Sequence, residues 1–207
     1  DGTFTGSELL IAQLLTTTTT TQGYVDYEVT ATLNGCSATS VVVRVYVNPL
    51  PRPVLENGTI CVDSDNITFQ TYLLNTGLAE SMYDFVWFID GVEQINVNTS
   101  TFVAEVVGTY SVLVTNTLTG CEAPPVSAIV TAIEPATTFT VDVTNAFSDN
   151  AMLTVTVADG TGDLLYQLDD GPFQESNIFT NVSSGDHIIT VIDTKGCTYL
   201  TQEKTVI

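Results

Sequence analysis

The stretch Gly185-Asp-His-Ile-Ile-Thr-Val-Ile-Asp-Thr-Lys-Gly-Cys197 holds the pattern that decides the fold of this chain. Its residues alternate between two faces, which is typical of a β-strand, and the strand ends at a Gly-Cys turn. Two earlier stretches repeat this arrangement: Tyr27 to Cys36, and Gly108 to Cys121. The three cysteines that end the turns lie roughly 80 residues apart, which is the length of one small β-sandwich. We therefore predict repeated sandwich units.

A second repeated motif lies upstream of the last two hairpins. Trp87-Phe-Ile-Asp-Gly-Val-Glu-Gln94 resembles Tyr166-Gln-Leu-Asp-Asp-Gly-Pro-Phe-Gln174. In both, an aromatic residue opens a strand that reaches an Asp-Gly turn, where glycine supplies the positive φ that the turn needs. Leu9 to Leu15 is the one stretch with helical character. Because the six threonines that follow it are poor helix formers, we interpret this region as strand and loop.

Prolines mark the joints between the units. Asn48-Pro-Leu-Pro-Arg-Pro53 favours an extended, semi-rigid connection, and Glu134-Pro135 marks a second joint. The predicted fold class is all-β, with tandem immunoglobulin-like antiparallel β-sandwiches in an extended rod. We assign residues 1–48 to the C-terminal part of one unit, 49–133 to a complete unit and 134–207 to a third.

The first unit is predicted to be incomplete. Residues 1–48 hold only the later strands of a sandwich, and half a sandwich leaves an open sheet edge and an unfilled core. The chain begins at Asp1 rather than at a Met, so we expect it to be a mature or excised piece of a longer protein. We expect upstream chain or a partner to complete the unit.

The composition excludes several classes of partner. Hydrophobic residues make up 44% of the chain, which is enough for real cores, and the 24 acidic against 4 basic residues give a formal net charge of -20. Such a charge repels nucleic acids and anionic lipids, and no run approaches the roughly 20 apolar residues of a membrane span. We predict neither nucleic-acid binding nor membrane insertion. The charge keeps an extracellular protein soluble or, alternatively, attracts divalent cations.

The four cysteines contain no Cys-x-x-Cys spacing that would suggest zinc. Cys61 opens the first part of the middle unit and Cys121 opens its last strand, so we predict a disulfide between them. Closing that loop of about 60 residues stabilises the fold by roughly 4 kcal/mol. We expect Cys36 to pair upstream of residue 1, and Cys197 to be a buried free thiol or, alternatively, an intermolecular link. Disulfides imply export from the cytoplasm.

The single histidine offers no catalytic arrangement. His187 stands where Tyr27 and Tyr110 stand in the sister units, so we predict that it packs in place of a structural tyrosine. One histidine cannot easily build a Ser-His-Asp or Cys-His site. Trp87 is predicted to fill the core of the middle unit, with a sugar-stacking platform as the alternative.

Carboxylate pairs are also interpreted as structural. Asp63 and Asp65 are spaced like the start of a calcium loop, but Ile67 breaks that pattern. Asp169 and Asp170 lie in a hairpin turn, where aspartate is common for backbone reasons. We therefore predict no catalytic residue, cofactor or metal site, and no enzyme activity.

These residues resemble a known family. Asp163-Leu-Leu-Tyr-Gln-Leu-Asp-Asp-Gly171 and Gly185 to Cys197 resemble the SprB-type repeats of Bacteroidota surface adhesins, and most of all the copy that directly precedes the gliding-motility-associated C-terminal sorting domain. Thr59 to Asp65, Trp87 and Gly108 to Cys121 resemble the Ig-like or PKD-like modules of the same proteins, and residues 1–48 look like the end of another. Such repeats often carry an early Cys, which the third unit lacks.

The resemblance implies type IX secretion, an extracellular location on the bacterial cell surface, and a role in adhesion, gliding or prey capture. We predict a non-catalytic structural stalk segment of a secreted adhesin or surface filament. Its expected partners are the upstream domains and, through the open half unit and Cys197, copies of itself in a fibre or hook. The alternatives are a glycan- or protein-binding module, marked by an exposed aromatic cluster, and the Ig-like anchor of a secreted hydrolase.

Overall fold

A computed structural model describes residues 14–144 and 151–207, and these residues form strands, turns and loops without any helix. The first four strands are β1 (Gly23–Val29), β2 (Thr32–Leu33), β3 (Cys36–Ser37) and β4 (Val41–Val47). The next eight are β5 (Gly58–Val62), β6 (Thr68–Gln70), β7 (Tyr72–Asn75), β8 (Tyr83–Ile89), β9 (Val92–Glu93), β10 (Thr101–Ala104), β11 (Gly108–Asn116) and β12 (Val126–Ile133). The last six are β13 (Phe139–Thr144), β14 (Ala151–Val157), β15 (Leu164–Leu168), β16 (Ile178–Val182), β17 (Gly185–Asp193) and β18 (Tyr199–Val206).

The all-β, immunoglobulin-like prediction is confirmed, while the extended rod stays a prediction. Residues 9–13 of the stretch with helical character lie outside the described residues, and residues 14–22 form loop and bend, which corresponds to the loop part of the predicted strand and loop. None of the described segments forms a helix that could cross a membrane.

Strands β5 to β12 form the first complete sandwich. Its larger sheet has the order β6-β5-β12-β11-β8-β9, with β5 and β12 parallel, and its smaller sheet pairs β10 with β7. Alternate side chains of both sheets fill one core, which includes Trp87, Tyr110 and Leu74. Trp87 is 0% exposed, and its indole N–H donates to the Thr99 carbonyl at 2.9 Å. The core role predicted for Trp87 is therefore confirmed, and the sugar-stacking alternative is wrong because no ring face is accessible.

Strands β13 to β18 form the second sandwich. Its sheets have the orders β13-β14-β16 and β15-β17-β18. Leu153, Val155, Ile189 and Val191 project from the two sheets into a shared core and are fully buried. Valine and isoleucine suit these positions because β-branched side chains pack well on a pleated surface.

Strands β1 and β4 form an antiparallel hairpin without a third strand among the described residues. One face carries Val25, Tyr27, Val43 and Val45. On the other face, Arg44 forms an ion pair with Asp26 through two hydrogen bonds. Four of the five valines of β4 are exposed. An amphipathic hairpin with an exposed apolar face is what the assignment of residues 1–48 to half a unit requires.

The predicted boundaries fall between strands. The proline-rich segment 48–53 lies between the end of β4 and the start of β5. Glu134-Pro135 lies in a linker, residues 134–138, between β12 and β13. The two cores draw their residues from opposite sides of that linker. Whether each range folds independently stays a prediction.

Candidate functional site at the joint between the sandwiches

A disulfide joins the two sandwiches. Cys61 of β5 is bonded to Cys197, which lies in the turn between β17 and β18, and their Cα atoms are 5.5 Å apart. The prediction of a Cys61–Cys121 bond is therefore wrong, and so are both alternatives for Cys197. Cys121 is a partly buried free thiol, and Cys36 is exposed and unpaired within the described part of the chain.

The length of β12 explains why Cys61 does not pair with Cys121. Cys121 precedes the start of β12 at Val126, whereas Cys61 lies beside its last residue, Ile133. A strand of that length spans about 23 Å, and a disulfide requires Cα atoms closer than about 7 Å. The two cysteines thus lie toward opposite ends of the sandwich, and only Cys61 faces the joint.

A buried carboxylate shapes the turn that carries Cys197. Asp193 is 3% exposed, and its Oδ1 accepts the backbone N–H of Lys195 at 2.6 Å while Oδ2 accepts that of Thr198. Burial alone would raise its pKa, but the backbone N–H groups of Lys195, Thr198 and Cys197 hold the pKa below its ordinary value. The carboxylate therefore stays ionised, and its two hydrogen bonds fix the turn so that Cys197 faces Cys61.

The linker is attached to the second sandwich by hydrogen bonds. The N–H of Ala136 donates to the Thr198 hydroxyl at 3.0 Å, in a buried position. Glu134 and Thr161 exchange two bonds of 2.9 Å, one to the Thr161 hydroxyl and one to the Glu134 carbonyl. A linker whose donors are satisfied in this way has little freedom to rotate about its single bonds.

Two glycines allow close packing at the same place. Gly160 has φ +89°, and a Cβ there would meet the Ala136 nitrogen at 2.7 Å. A Cβ on Gly162 would meet Cβ of Asp193 at 3.0 Å and Ile133, the last residue of β12, at 3.3 Å. The joint is therefore built from five elements: β5 with Cys61, the end of β12, the linker, the loop at 160–162 and the β17–β18 turn.

His187 occupies the position of a tyrosine, as predicted. Its Nε2 lies 3.0 Å from the Ser183 carbonyl, four residues earlier, and the Tyr110 hydroxyl donates to the Val106 carbonyl, also four residues earlier, at 2.8 Å. His187 adds a contact that tyrosine lacks, because its Nδ1 lies 2.9 Å from Asp169. The bond to Asp169 raises the pKa of His187, and the same bond lowers the pKa of Asp169.

One aspartate of each acidic pair accepts backbone N–H groups. Asp63 accepts the N–H groups of Asp65 and Ile67 at 3.0 and 2.8 Å. Asp169 accepts the N–H of Ile188 at 2.9 Å, and Asp90 makes the equivalent bond to Thr109 in the first sandwich. Within residues 14–144 and 151–207, no group of three or more His, Cys, Asp or Glu residues could hold one metal ion.

One aromatic pair is exposed, which we did not predict from the sequence. Tyr24 and Tyr46 stand opposite each other on the polar face of the β1–β4 hairpin, with ring centroids 6.5 Å apart, and are 58% and 62% exposed. The Arg44 guanidinium lies 4.0 Å from the Tyr24 ring centroid. Period-2 alternation with Asp26 and Glu28 places Tyr24 on a polar face, and this signal was present in the sequence.

A cavity of about 530 Å³ lies where the hairpin meets the first sandwich. Leu14, Val45, Leu50 and the free thiol of Cys121 are among the residues that line it. Cys121, which precedes β12, and residues of the hairpin therefore line the same cavity.

No family model and no curated protein matches the chain. Among solved structures, that of a mouse coronavirus receptor-binding domain complexed with its murine receptor is 14% identical over 71% of this chain and 94% of that one, with a TM-score of 0.43. Immunoglobulin domains 1–4 of Sidekick-1 are 14% identical over 87% of this chain and 57% of theirs, with a TM-score of 0.35. The insect immune protein hemolin is 11% identical over 87% and 55%, with a TM-score of 0.31. The chain spans little more than half the length of the last two, and similarity at this level says nothing about function.

Proposed function

We propose that this chain is a non-catalytic structural stalk segment of a secreted bacterial cell-surface adhesin or surface filament. The observation that carries the proposal is the joint, where the Cys61–Cys197 disulfide and the bonded linker attach one sandwich to the next. A stalk must keep successive units in a fixed relation, whereas domains joined only by a flexible linker move independently. We assign the units to residues 1–48, 49–133 and 134–207.

The disulfide and the charge support an extracellular location. Disulfides persist in oxidising compartments, and a net charge of -20 discourages association between neighbouring β-sheets. The SprB-type motifs support the bacterial surface, type IX secretion and a role in adhesion, gliding or prey capture. The engagement of His187, Asp63 and Asp169 in structural bonds supports a role without catalysis.

A replacement experiment in the native, full-length protein tests the stalk role. Residues 49–207 would be exchanged for an unrelated rigid pair of immunoglobulin-like domains of equal length, and a second strain would lack them altogether. A stalk predicts that the exchange preserves surface display and adhesion, while the deletion reduces adhesion. Display with lost adhesion after the exchange would show a binding module instead. Release of the intact protein as a soluble particle would overturn the surface assignment.

A second candidate function is glycan or protein binding by the Tyr24–Tyr46 face, because exposed aromatic pairs are common in recognition surfaces. The double variant Tyr24→Ala and Tyr46→Ala tests it in the full-length protein. Loss of adhesion with unchanged surface display would establish this function, and unchanged adhesion would exclude it. The matched control is the double variant Val41→Ala and Val42→Ala, which truncates exposed side chains of the same hairpin away from the ring pair.

A further inference from the structure

The positions of the two bonded cysteines create a short covalent path through both sandwiches. Cys61 lies in β5, the first strand of the first sandwich, and Cys197 lies two residues before β18, the last strand of the second. Along the backbone the two residues are 136 positions apart, but across the disulfide their Cα atoms are 5.5 Å apart. Tension applied to the two ends of a chain follows the shortest covalent path between them.

We propose that the Cys61–Cys197 bond is a mechanical shortcut, which carries tension past both sandwich cores and makes residues 62–196 a closed loop that pulling cannot extend. Except for Ile60 and Val206, the buried residues of both cores lie inside this loop. A fully extended chain spans about 3.3–3.6 Å per residue, so the bond withholds roughly 450–490 Å of chain. The proposal rests on the proposed stalk function for its biological use, because a stalk under load must not lengthen.

The segments that remain on the load path are already extended. Tension enters through Gly58 to Cys61 of β5, crosses the disulfide and leaves through β18. β18 is hydrogen-bonded along its whole length to β17, from Tyr199 opposite Ile192 to Val206 opposite Gly185. An extended strand lengthens very little under tension, so the two sandwiches together behave as a nearly inextensible element between Gly58 and Val206.

Without the disulfide the load would take a different route. It would run through the whole of each sandwich and the linker at 134–138, where hydrogen bonds such as Ala136 to Thr198 and the close packing around Gly160 and Gly162 oppose separation. Each such hydrogen bond contributes about 1 kcal/mol net to stability. Each sandwich would then unfold under tension and release its chain.

Single-molecule pulling on the full chain, with handles at both termini, tests the shortcut. The reference is the double variant Cys36→Ser and Cys121→Ser, which keeps the disulfide and removes both free thiols. We expect its oxidised form to show no unfolding step from residues 62–196. Addition of dithiothreitol should produce steps that together approach 450–490 Å, less the distance already spanned by the folded loop. The double variant Cys61→Ser and Cys197→Ser should show the same steps without reductant.

Two outcomes overturn the proposal. One is a set of long unfolding steps in the oxidised reference protein, and the other is alkylation of Cys61 and Cys197 in that protein without prior reduction. The reductant is applied to protein that is already folded, so a folding failure of the Cys61→Ser and Cys197→Ser variant leaves the test intact. If the oxidised protein shows long unfolding steps but the domain exchange preserves adhesion on cells, only the mechanical shortcut is overturned. If the exchange abolishes adhesion but the oxidised protein shows only short unfolding steps, only the stalk function is overturned.

Discussion

His187 and Tyr110 make the same contact in successive sandwiches: each side chain reaches the backbone carbonyl four residues before it, at 3.0 and 2.8 Å. The two contacts differ in one respect, because the imidazole also faces Asp169. Both groups that face its nitrogens, the Ser183 carbonyl and the Asp169 carboxylate, are acceptors. Only the doubly protonated imidazolium donates to both, so protonation completes this contact.

The second sandwich is therefore expected to be more stable at mildly acidic pH. The pKa of His187 is raised in the folded state. Its contribution to the free energy of unfolding is therefore complete below its unfolded pKa of about 6.5 and is lost as the pH rises through the folded pKa. The pKa of Asp169 is lowered, so its contribution is lost only when the pH falls below about 4. Because Asp169 is half exposed, the effect should stay below about 1 kcal/mol.

Denaturant unfolding between pH 4.5 and 8.5, followed by circular dichroism, measures this effect. His187→Tyr is the matched variant, since tyrosine can keep the bond to Ser183 but does not titrate in this range. The difference in free energy of unfolding between wild type and variant should shift in favour of wild type as the pH falls from 8.5 to 5. A difference that is constant across this range would contradict the assigned role of the Asp169 pair.

Trp87 should be the most costly single truncation in the first sandwich. It is fully buried, its ring centroid lies 5.3 Å from that of Phe102, and its N–H is bonded to Thr99. Trp87→Ala should destabilise the fold by about 3–5 kcal/mol, measured as the free energy of unfolding in urea. Leu118→Ala is the control, because Leu118 is 92% exposed and its truncation should cost less than about 0.5 kcal/mol. Similar costs for the two variants would contradict the core assignment.

Local patterns in the sequence predicted the sandwiches well. Alternation placed Trp87, Tyr110 and the strand around His187 correctly, because burial of one strand face imposes a period of two. The repeated Asp-Gly motif predicted a turn in each sandwich, and Asp90 and Asp169, with φ of 49° and 51°, each accept a backbone N–H of the neighbouring strand. The positive φ predicted for the glycine occurs at Gly91 but not at Gly171, so the two turns differ in shape. Each of these features depends on contacts within a single unit.

The joint was not predictable in the same way. The Cys61–Cys121 prediction assumed that a cysteine near the start of a unit pairs within that unit, but parallel pairing places Cys61 beside Ile133, at the end next to the linker. Which turn then approaches that end depends on the orientation of the second sandwich. Residues 134–138 and 160–162 set this orientation through contacts that no periodicity reveals.

Asp193 should support the joint through the turn that carries Cys197. Asp193→Ala would leave the N–H groups of Lys195, which is part-buried, and of Thr198, which is buried, without their acceptor, at a cost of about 1–3 kcal/mol for each group that stays dry. Hydrogen exchange of these two amides, monitored by NMR, should accelerate together with that of Ala136. Glu203→Ala, an exposed acidic position on β18, is the control and should leave these rates unchanged. Unaltered amide protection in Asp193→Ala would contradict the proposed support.

The packing of the linker can be separated from glycine's backbone preference by comparing two positions. Gly160 and Gly196 have nearly equal φ, +89° and +85°, so alanine strains the backbone equally at both. A Cβ at Gly160 would lie 2.7 Å from the Ala136 nitrogen, whereas no heavy atom of the described residues, apart from its chain neighbours, lies within 4 Å of a Cβ at Gly196. Gly160→Ala should therefore cost about 1–3 kcal/mol more than Gly196→Ala in the free energy of unfolding. It should also speed exchange of the Ala136 amide, since the linker must move to admit the methyl group. Equal costs and equal exchange rates would mean that residues 134–138 do not pack against the loop at 160–162.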